Sequence, residues 1–249
     1  MSVRFFGNTD SHIFFTGTEH IVYYSMALSD KRILDEMEKG HIVITPFKEE
    51  NLSTASYDVT LGEYYFSEKN NTHDIYNPCN QKDVEQVWGT EPQQAKPAKE
   101  AFKNEPFEFT GIAEDDKVIV LEPGETVLAH TEEFVGGRIH ITTMMKARSS
   151  WGRNFIEVCK CAGWGDVGYT NRWTMEVTNN SRHHRIPIIV GRRIAQIVFF
   201  DTGEIKLDNY IQQGSKYQTT ENLEEMVRQW DPKSMLPKMY NDREIRHKN

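Results

Sequence analysis

The sequence predicts an all-β fold with minor helices, arranged as an antiparallel sandwich or barrel. Three observations point there. From Phe107 to Phe200, short runs rich in β-branched and aromatic residues alternate with turn signals, among them KVIVLEPGETVLAH, GGRIHITTMMKA, NFIEVCKCAGWGDVGY, RWTMEVTNNS and RIPIIVGRRIAQIVFF. No helical apolar period separates these runs, so crossover helices between parallel strands are not expected. A chain of 249 residues can also bury a core of this kind without disulfide or metal staples.

Taken in order, residues 1–27 are aromatic-rich without a clean period and form an unassigned N-terminal extension. Ser29 and Asp30 then offer cap oxygens, Ile33, Leu34 and Met37 recur at helical spacing, and Gly40 ends a short amphipathic helix. HIVITPF and ASYDVTLGEYYF read as strands, with the turn-prone KEENLS between them. Residues 67–106 carry four prolines and few aliphatic positions, which predicts a long polar surface insertion. Beyond Phe200 the chain turns polar, with a tail over DTGEIKLDNYIQQGSKYQ. A helix over ENLEEMVRQW follows, capped near Thr220, and then a proline-containing arm. One domain over 28–218, flanked by extensions at 1–27 and 219–249, is the economical organisation.

With 29 Lys and Arg against 37 Asp and Glu, the formal charge is −8. An acidic surface repels phosphate backbones at long range, so no nucleic-acid partner is expected, although a local arginine pocket for one nucleotide is compatible. No apolar run approaches the ~20 residues of a membrane span, so no membrane association is expected either. The three cysteines, Cys79, Cys159 and Cys161, are too few for a disulfide framework. With no apolar leader in MSVRFFGNTDSHIFF, this predicts a cytoplasmic protein.

The chemistry concentrates between Ala147 and Phe200. ARSSWGR places Arg148, Ser149, Ser150 and Arg153 at a turn between strands, two planar guanidinium forks and two hydroxyls suited to phosphate oxygens. A solvated turn is the competing reading for so short a motif. In WTMEVTN, strand periodicity puts Thr174, Glu176 and Thr178 on one face and Trp173, Met175 and Val177 on the other. If the apolar face packs inward, Glu176 points to a polar pocket. Cys159 and Cys161 are spaced C-x-C, which on a strand turns both to one side, more fitting for small buried hydrophobes than for metal ligands. His183 and His184 fall in a solvated loop, NNSRHHR.

Joined together, ARSSWGR, then AGWGDVGY, then GRRIAQIVFF resemble the nucleotide pocket of the dCTP deaminase and dUTPase superfamily. Upstream, LSDKRILDEMEKGHIVITPF, ASYDVTLG and EPGETVLAHTEE resemble the opening elements of its deaminase branch. The resemblance covers roughly residues 28–66 and 117–218 in unbroken order. It implies a distorted antiparallel β-barrel or jelly roll of the dUTPase type, assembled as a homotrimer with sites at subunit interfaces. In dUTPases the residue seven positions after the motif tyrosine is normally apolar, whereas Tyr169 is followed at that spacing by Glu176, as in deaminases.

The roles implied are these. Glu176 would shuttle the proton in hydrolysis of the 4-amino group of dCTP, Ser149 would position the attacking water, and Arg153 would hold the glutamate and the developing charge. Arg148, Ser150 and Gln196 would bind the triphosphate. Ala162 and Gly163 would read the pyrimidine edge through the backbone, Tyr169 would lie against the deoxyribose, and Tyr210, Lys216 and Tyr217 would close as a lid. Asp166 would hold the sugar hydroxyl or activate a water for attack on the α-phosphorus, which leaves open whether the triphosphate is also cleaved to dUMP and diphosphate. Ala147 and Asn171 stand where glycines are usual. Mg²⁺ would arrive on the triphosphate, with no protein metal site and no zinc. The zinc deaminases carry an H-x-E and a P-C-x-x-C signature, and neither element is expected in this chain. A plain dUTPase, or an inactive nucleotide-sensing trimer, are the alternatives.

Overall fold

The side chain of Ser29 accepts a hydrogen bond from the Arg32 amide and starts helix α1, Asp30–Glu38. Gly40 ends it with a left-handed φ of 76°. The computed structural model describes residues 27–69, 74–212, 215–218 and 220–245. The N-terminal extension lies outside them except for Ala27, which bridges to Phe200.

Next come β1 (Ile42–Thr45), β2 (Leu52–Ser53) and the long β3 (Ser56–Ser67). The insertion carries α2 (Gln81–Trp88), β4 (Gln93–Gln94), β5 (Lys96–Pro97) and α3 (Ala98–Ala101). After it follow β6 (Lys117–Leu121), β7 (Thr126–Gly137), β8 (Ile141–Ala147) and the single helical turn α4 (Ser149–Gly152). The remaining strands are β9 (Ile156–Val158), β10 (Trp164–Gly165), β11 (Thr170–Asn179), β12 (Ile186–Ile189) and β13 (Arg193–Asp201). Helix α5 (Leu223–Gln229) lies in the C-terminal extension.

The main sheet runs β10-β8-β13-β3-β7-β11-β9, entirely antiparallel, and β12-β6-β5 form a smaller sheet. Its two end strands, β9 and β10, are consecutive in the chain and joined only by residues 159–163, a reach of at most about 20 Å. The sheet must therefore curl until its edges nearly meet, giving the barrel the alternating strands called for. Inward positions fill it: Tyr57, Val59 and Leu61 from β3, Ile141 and Met145 from β8, Trp173, Met175 and Val177 from β11, Ala195, Ile197 and Phe199 from β13. The chain is mostly β, as expected, and no helix among the described residues is long and apolar enough to cross a membrane.

Two local expectations, on the cysteines and the cap of the last helix, are corrected, and a third, the polar surface insertion, gains detail. Cys159 and Cys161 are not on a strand: β9 stops at Val158 and the chain turns through positive φ at Cys159 (61°) and Lys160 (41°), so Cys159 is buried and Cys161 exposed. The polar insertion is ordered over most of its length, because Ala98 and Phe102 pack with Val118 and Ile189 in a satellite core where Phe102 stacks on Phe107 at 3.9 Å. Helix α5 is capped by Asn222, whose side chain accepts from the Glu225 amide, while Thr220 bonds the Glu225 carboxylate. The C-terminal arm then inserts Met235 beside Phe66 and Leu128 on the outer face of β3 and β7.

One buried histidine sits where those elements meet. His130 of β7 packs so closely on Gly62 that a Cβ there would lie 1.9 Å from the ring. Its Nδ1 lies 2.8 Å from the Thr131 carbonyl, and Trp230 stacks at 4.6 Å. Burial pushes its pKa down to about 4. The fold thus holds this imidazole neutral while the unfolded chain takes up a proton near 6.5, so stability is full above that pH and falls as pH drops from about 6.5 to about 4. Urea titrations of the wild type and His130→Asn across that range should show the acid loss in the wild type and a flatter curve in the variant.

Candidate active site

The strand carrying WTMEVTN presents its faces as periodicity requires: Trp173, Met175 and Val177 are buried in the barrel, and Glu176 stands half-buried on the other face. Burial pushes the Glu176 carboxyl up from the ordinary carboxylate range, opposed by a hydrogen bond from its own backbone and by the Lys160 charge. Among the described residues it has no ion-pair partner.

A tyrosine cluster reaches that carboxylate through Tyr217. Tyr169 meets Tyr210 edge-on at 5.1 Å and Trp173 at 5.3 Å, and burial drives its phenol pKa strongly up. The Tyr210 phenol is pushed up to about 12 by burial, with Tyr217 and Asp166 adding to the effect. Tyr217 is raised chiefly by burial and also feels the Glu176 charge. Asp166, exposed, starts the turn in which its carbonyl accepts the Tyr169 amide at 3.0 Å. The structure thus brings Asp166, Tyr169, Glu176, Tyr210 and Tyr217 into one neighbourhood.

The lid candidates are pinned in the described residues. The Gln218 side chain accepts from the Thr170 amide at 2.7 Å, and Asn171, standing where a glycine is usual, donates to the Tyr217 carbonyl at 2.8 Å. Lys216 pairs with Asp242, and the Tyr217 hydroxyl accepts from the Lys238 amide at 3.1 Å. The C-terminal arm therefore holds Lys216 and Tyr217 in place, a contact with no sequence signal beyond the mixed charge of the arm.

A second group gathers around the RSS turn. Trp151 anchors α4 by donating its indole N–H to the Arg193 carbonyl at 2.9 Å, which leaves Ser149, Ser150 and Arg153 exposed. Arg148 Nε lies 3.1 Å from the buried Asp58 carboxylate, and Arg193 reaches the same oxygen at 3.0 Å. Gln196, opposite Asp58 in the β3–β13 register, donates to Ser56 at 3.0 Å. A cavity of about 530 Å³ opens here, lined by Lys48, Arg148, Arg192 and Arg193 together with Glu50, Thr60 and Ser150, and Arg192 pairs with Asp116 at 2.9 Å. Four cationic side chains on one cavity suit a polyanion. Lys48, Arg192 and Arg193 escaped the sequence reading, although the Arg-Arg doublet beside Gln196 was its signal.

Ala162 and Gly163 belong to the turn between β9 and β10. Ala162 is exposed, while Gly163 lies so close to β8 that a Cβ would be 2.4 Å from the Met145 carbonyl oxygen. Pairing with its own chain, through the Met145 amide on the Gly163 carbonyl at 2.7 Å, is thus sufficient reason for the glycine. Within one chain, Arg153 and Ser149 make no contact with Glu176, and Glu176 does not line the cationic cavity. The expectation that neither half of the zinc-deaminase signature is present is corrected: His130-Thr131-Glu132 spells H-x-E, and no P-C-x-x-C accompanies it. The imidazole is sealed against Gly62.

The sequence profile of the dCTP deaminase-like family matches residues 27–202, well over half the chain. This chain belongs to the dCTP deaminase-like family. Within that family, the chain is 32% identical over 183 residues to a protein of Hydrogenobaculum sp. named "dCTP deaminase, dUMP-forming", covering 72% of this chain and 85% of the relative. It is 27% identical to a protein of the same name from Nanoarchaeum equitans, covering 77% and 92%. Among solved structures, a 2'-deoxycytidine 5'-triphosphate deaminase from Agrobacterium tumefaciens aligns at 17% identity with a TM-score of 0.49, over 71% of this chain and 48% of that one. The matched span holds the RSS turn, the tyrosine turn and Glu176, and it stops before Tyr210 and the C-terminal arm.

Proposed function

We propose that the protein hydrolyses the 4-amino group of dCTP, releasing ammonia, and then cleaves the triphosphate to give dUMP and diphosphate. The observation that carries this reading is Glu176, a half-buried carboxylate whose pKa is raised by burial, close enough to Tyr217 for its charge to be felt there, and without an ion-pair partner among the described residues. Such a group takes a proton from water as it adds to C4 and returns it to the departing nitrogen. One water enters, one ammonia leaves, and the glutamate ends as it began. A second water, oriented by Asp166, attacks the α-phosphorus, and diphosphate departs. The names of the relatives support both steps.

The remaining roles follow the geometry. Arg148, with Arg193, holds phosphate oxygens in the cationic cavity, Ser150 supplies a hydroxyl there, and Ser149 and Gln196, which lie outside its lining, would join as further phosphate donors. The backbone of Ala162 and Gly163 reads the pyrimidine edge. Tyr169 packs on the deoxyribose, while Tyr210, Lys216 and Tyr217 cover the nucleotide. Mg²⁺ fits as a passenger on the triphosphate, since Asp166 is exposed with no closed cage of oxygen ligands around it among the described residues. When bound it neutralises phosphate charge. No zinc is needed where a carboxylate manages the protons.

Glu176 and the Ser149–Arg153 turn are not in contact within a chain, so the complete site forms between subunits of a homotrimer, one supplying the glutamate and its neighbour the turn. Two large apolar side chains support this. Phe155 is 54% and Trp164 56% exposed, each flanking one of the two halves, as surfaces awaiting a partner would be.

Separate incubations with dCTP and dUTP plus Mg²⁺, resolving ammonia, dUTP, dUMP and diphosphate, test the proposal. Both substrates should yield dUMP, and dCTP should also yield ammonia. Diphosphate from dUTP with no ammonia from dCTP would establish the plain dUTPase instead. Asp166→Asn should stop diphosphate release by at least about a hundredfold and let dUTP accumulate from dCTP.

A further inference from the structure

Away from the nucleotide-site residues, α1 turns a carboxylate inward. Glu36 is 2% exposed on a helix face otherwise buried through Ile33. Two imidazoles converge on one of its oxygens: His41 Nδ1 lies 2.7 Å and His140 Nε2 3.7 Å from Oε2. The carboxylate of Asp201, at the end of β13, stands 3.9 Å from His140 Nε2. Ligand atoms of Glu36, His41 and His140 all lie within 4.8 Å of one another.

We propose that Glu36, His41 and His140 form a binding site for a zinc-class divalent cation, with water or the Asp201 carboxylate, now 3.7 Å from Arg32, as the fourth ligand. Three arguments carry it. The donor set of two imidazoles and carboxylate oxygen is that of zinc and its late first-row neighbours. Donors about 2.1 Å from a tetrahedral zinc stand about 3.4 Å apart, and the two nitrogen-to-Oε2 distances straddle that value, so small side-chain rotations close the site.

The second argument is backbone strain. Ile139, immediately before His140, is held at φ 62°, a region that β-branched residues rarely enter, with its own side chain 64% exposed. That conformation belongs to the tight reversal between β7 and β8, in which the Arg138 carbonyl accepts the His140 and Ile141 amides at 2.7 and 2.9 Å, and the reversal carries His140 Nε2 to 3.7 Å from Glu36. The third is access: His140 also lines a surface pocket of about 360 Å³ with Ile139, Gly203, Glu204 and Ile205, which gives an ion a route in from solvent.

Competing cations are present. Lys39 Nζ is 2.9 Å and Arg32 3.7 Å from Glu36 Oε1, the oxygen the imidazoles do not share. Lys39 is 56% exposed and free to swing into water as an ion arrives. The site would tie α1 to the corner before β8 and to the end of β13, and it takes no part in the deamination chemistry.

Zn²⁺ titration of the metal-stripped full-length protein by calorimetry, with Co²⁺ absorption as a second readout, tests the proposal. The expected result is one Zn²⁺ per chain at about micromolar or tighter affinity, a Tm raised by the bound ion, and Co²⁺ bands of a nitrogen and oxygen site. His140→Ala, at a partly exposed position, and the isosteric Glu36→Gln should each weaken binding by at least about a hundredfold. No Zn²⁺ uptake, uptake unchanged in both variants, or Co²⁺ bands showing thiolate ligands would overturn it and leave the cluster as a histidine-glutamate ion pair.

Discussion

Replacing Glu176 by glutamine is expected to abolish ammonia release from dCTP, by at least about a thousandfold in kcat, while nucleotide affinity changes by less than about tenfold. The amide keeps the shape and the burial of the carboxylate on β11 but cannot take a proton from water or return it to the leaving nitrogen. The site also loses a desolvated charge, so binding of the neutral base should hold or tighten slightly. Rapid-quench assay of ammonia and equilibrium binding of dCTP separate the two effects. Turnover within tenfold of the wild type would remove Glu176 from the proton path.

The second large effect concerns where the site is assembled. Glu176→Gln and the double variant Ser149→Ala, Arg153→Ala should each be inactive alone. When mixed during assembly they should recover about a quarter of the wild-type sites, because at random each interface draws one half from either parent. A site contained in one chain gives no recovery at any ratio. The measurement is dCTP deamination by the co-refolded or co-expressed mixture, with each parent refolded alone as control.

How far the sequence could be read follows from where its information is local. Ser29, Ile33 and Gly40 announce α1 within about a dozen residues, and the alternation in WTMEVTN places Glu176 opposite the core, because caps and strand periodicity act over a few neighbours. The insertion was harder. Its order comes from Phe102 meeting Val118 and Ile189, strands contributed by the rest of the chain, which a polar, proline-containing window does not reveal. Cys159 and Cys161 were misplaced for a related reason: neither is a residue that signals positive φ, yet the barrel must turn there to carry the chain from one sheet edge to the other.

The site divides in the same way. The RSS turn and the tyrosine turn are contiguous motifs and were legible. Asp58, bridging Arg148 and Arg193 across 135 residues of sequence, was not, nor was the C-terminal arm that ties Lys216 to Asp242 and the Tyr217 hydroxyl to Lys238. The separation of Glu176 from Arg153 within one chain is likewise a product of the barrel. Strand alternation fixes the direction of each side chain but not the edge of the molecule on which it emerges.

A crystal structure of the Glu176→Gln protein with dCTP and Mg²⁺ tests the central claim most directly. The account predicts the pyrimidine edge on the Ala162–Gly163 backbone, the residue-176 amide within about 3.5 Å of C4 or its amino group, and Ser149 and Arg153 of a neighbouring subunit on the other side of the base. A cytosine bound elsewhere, or a residue-176 side chain turned away from it, would contradict the account.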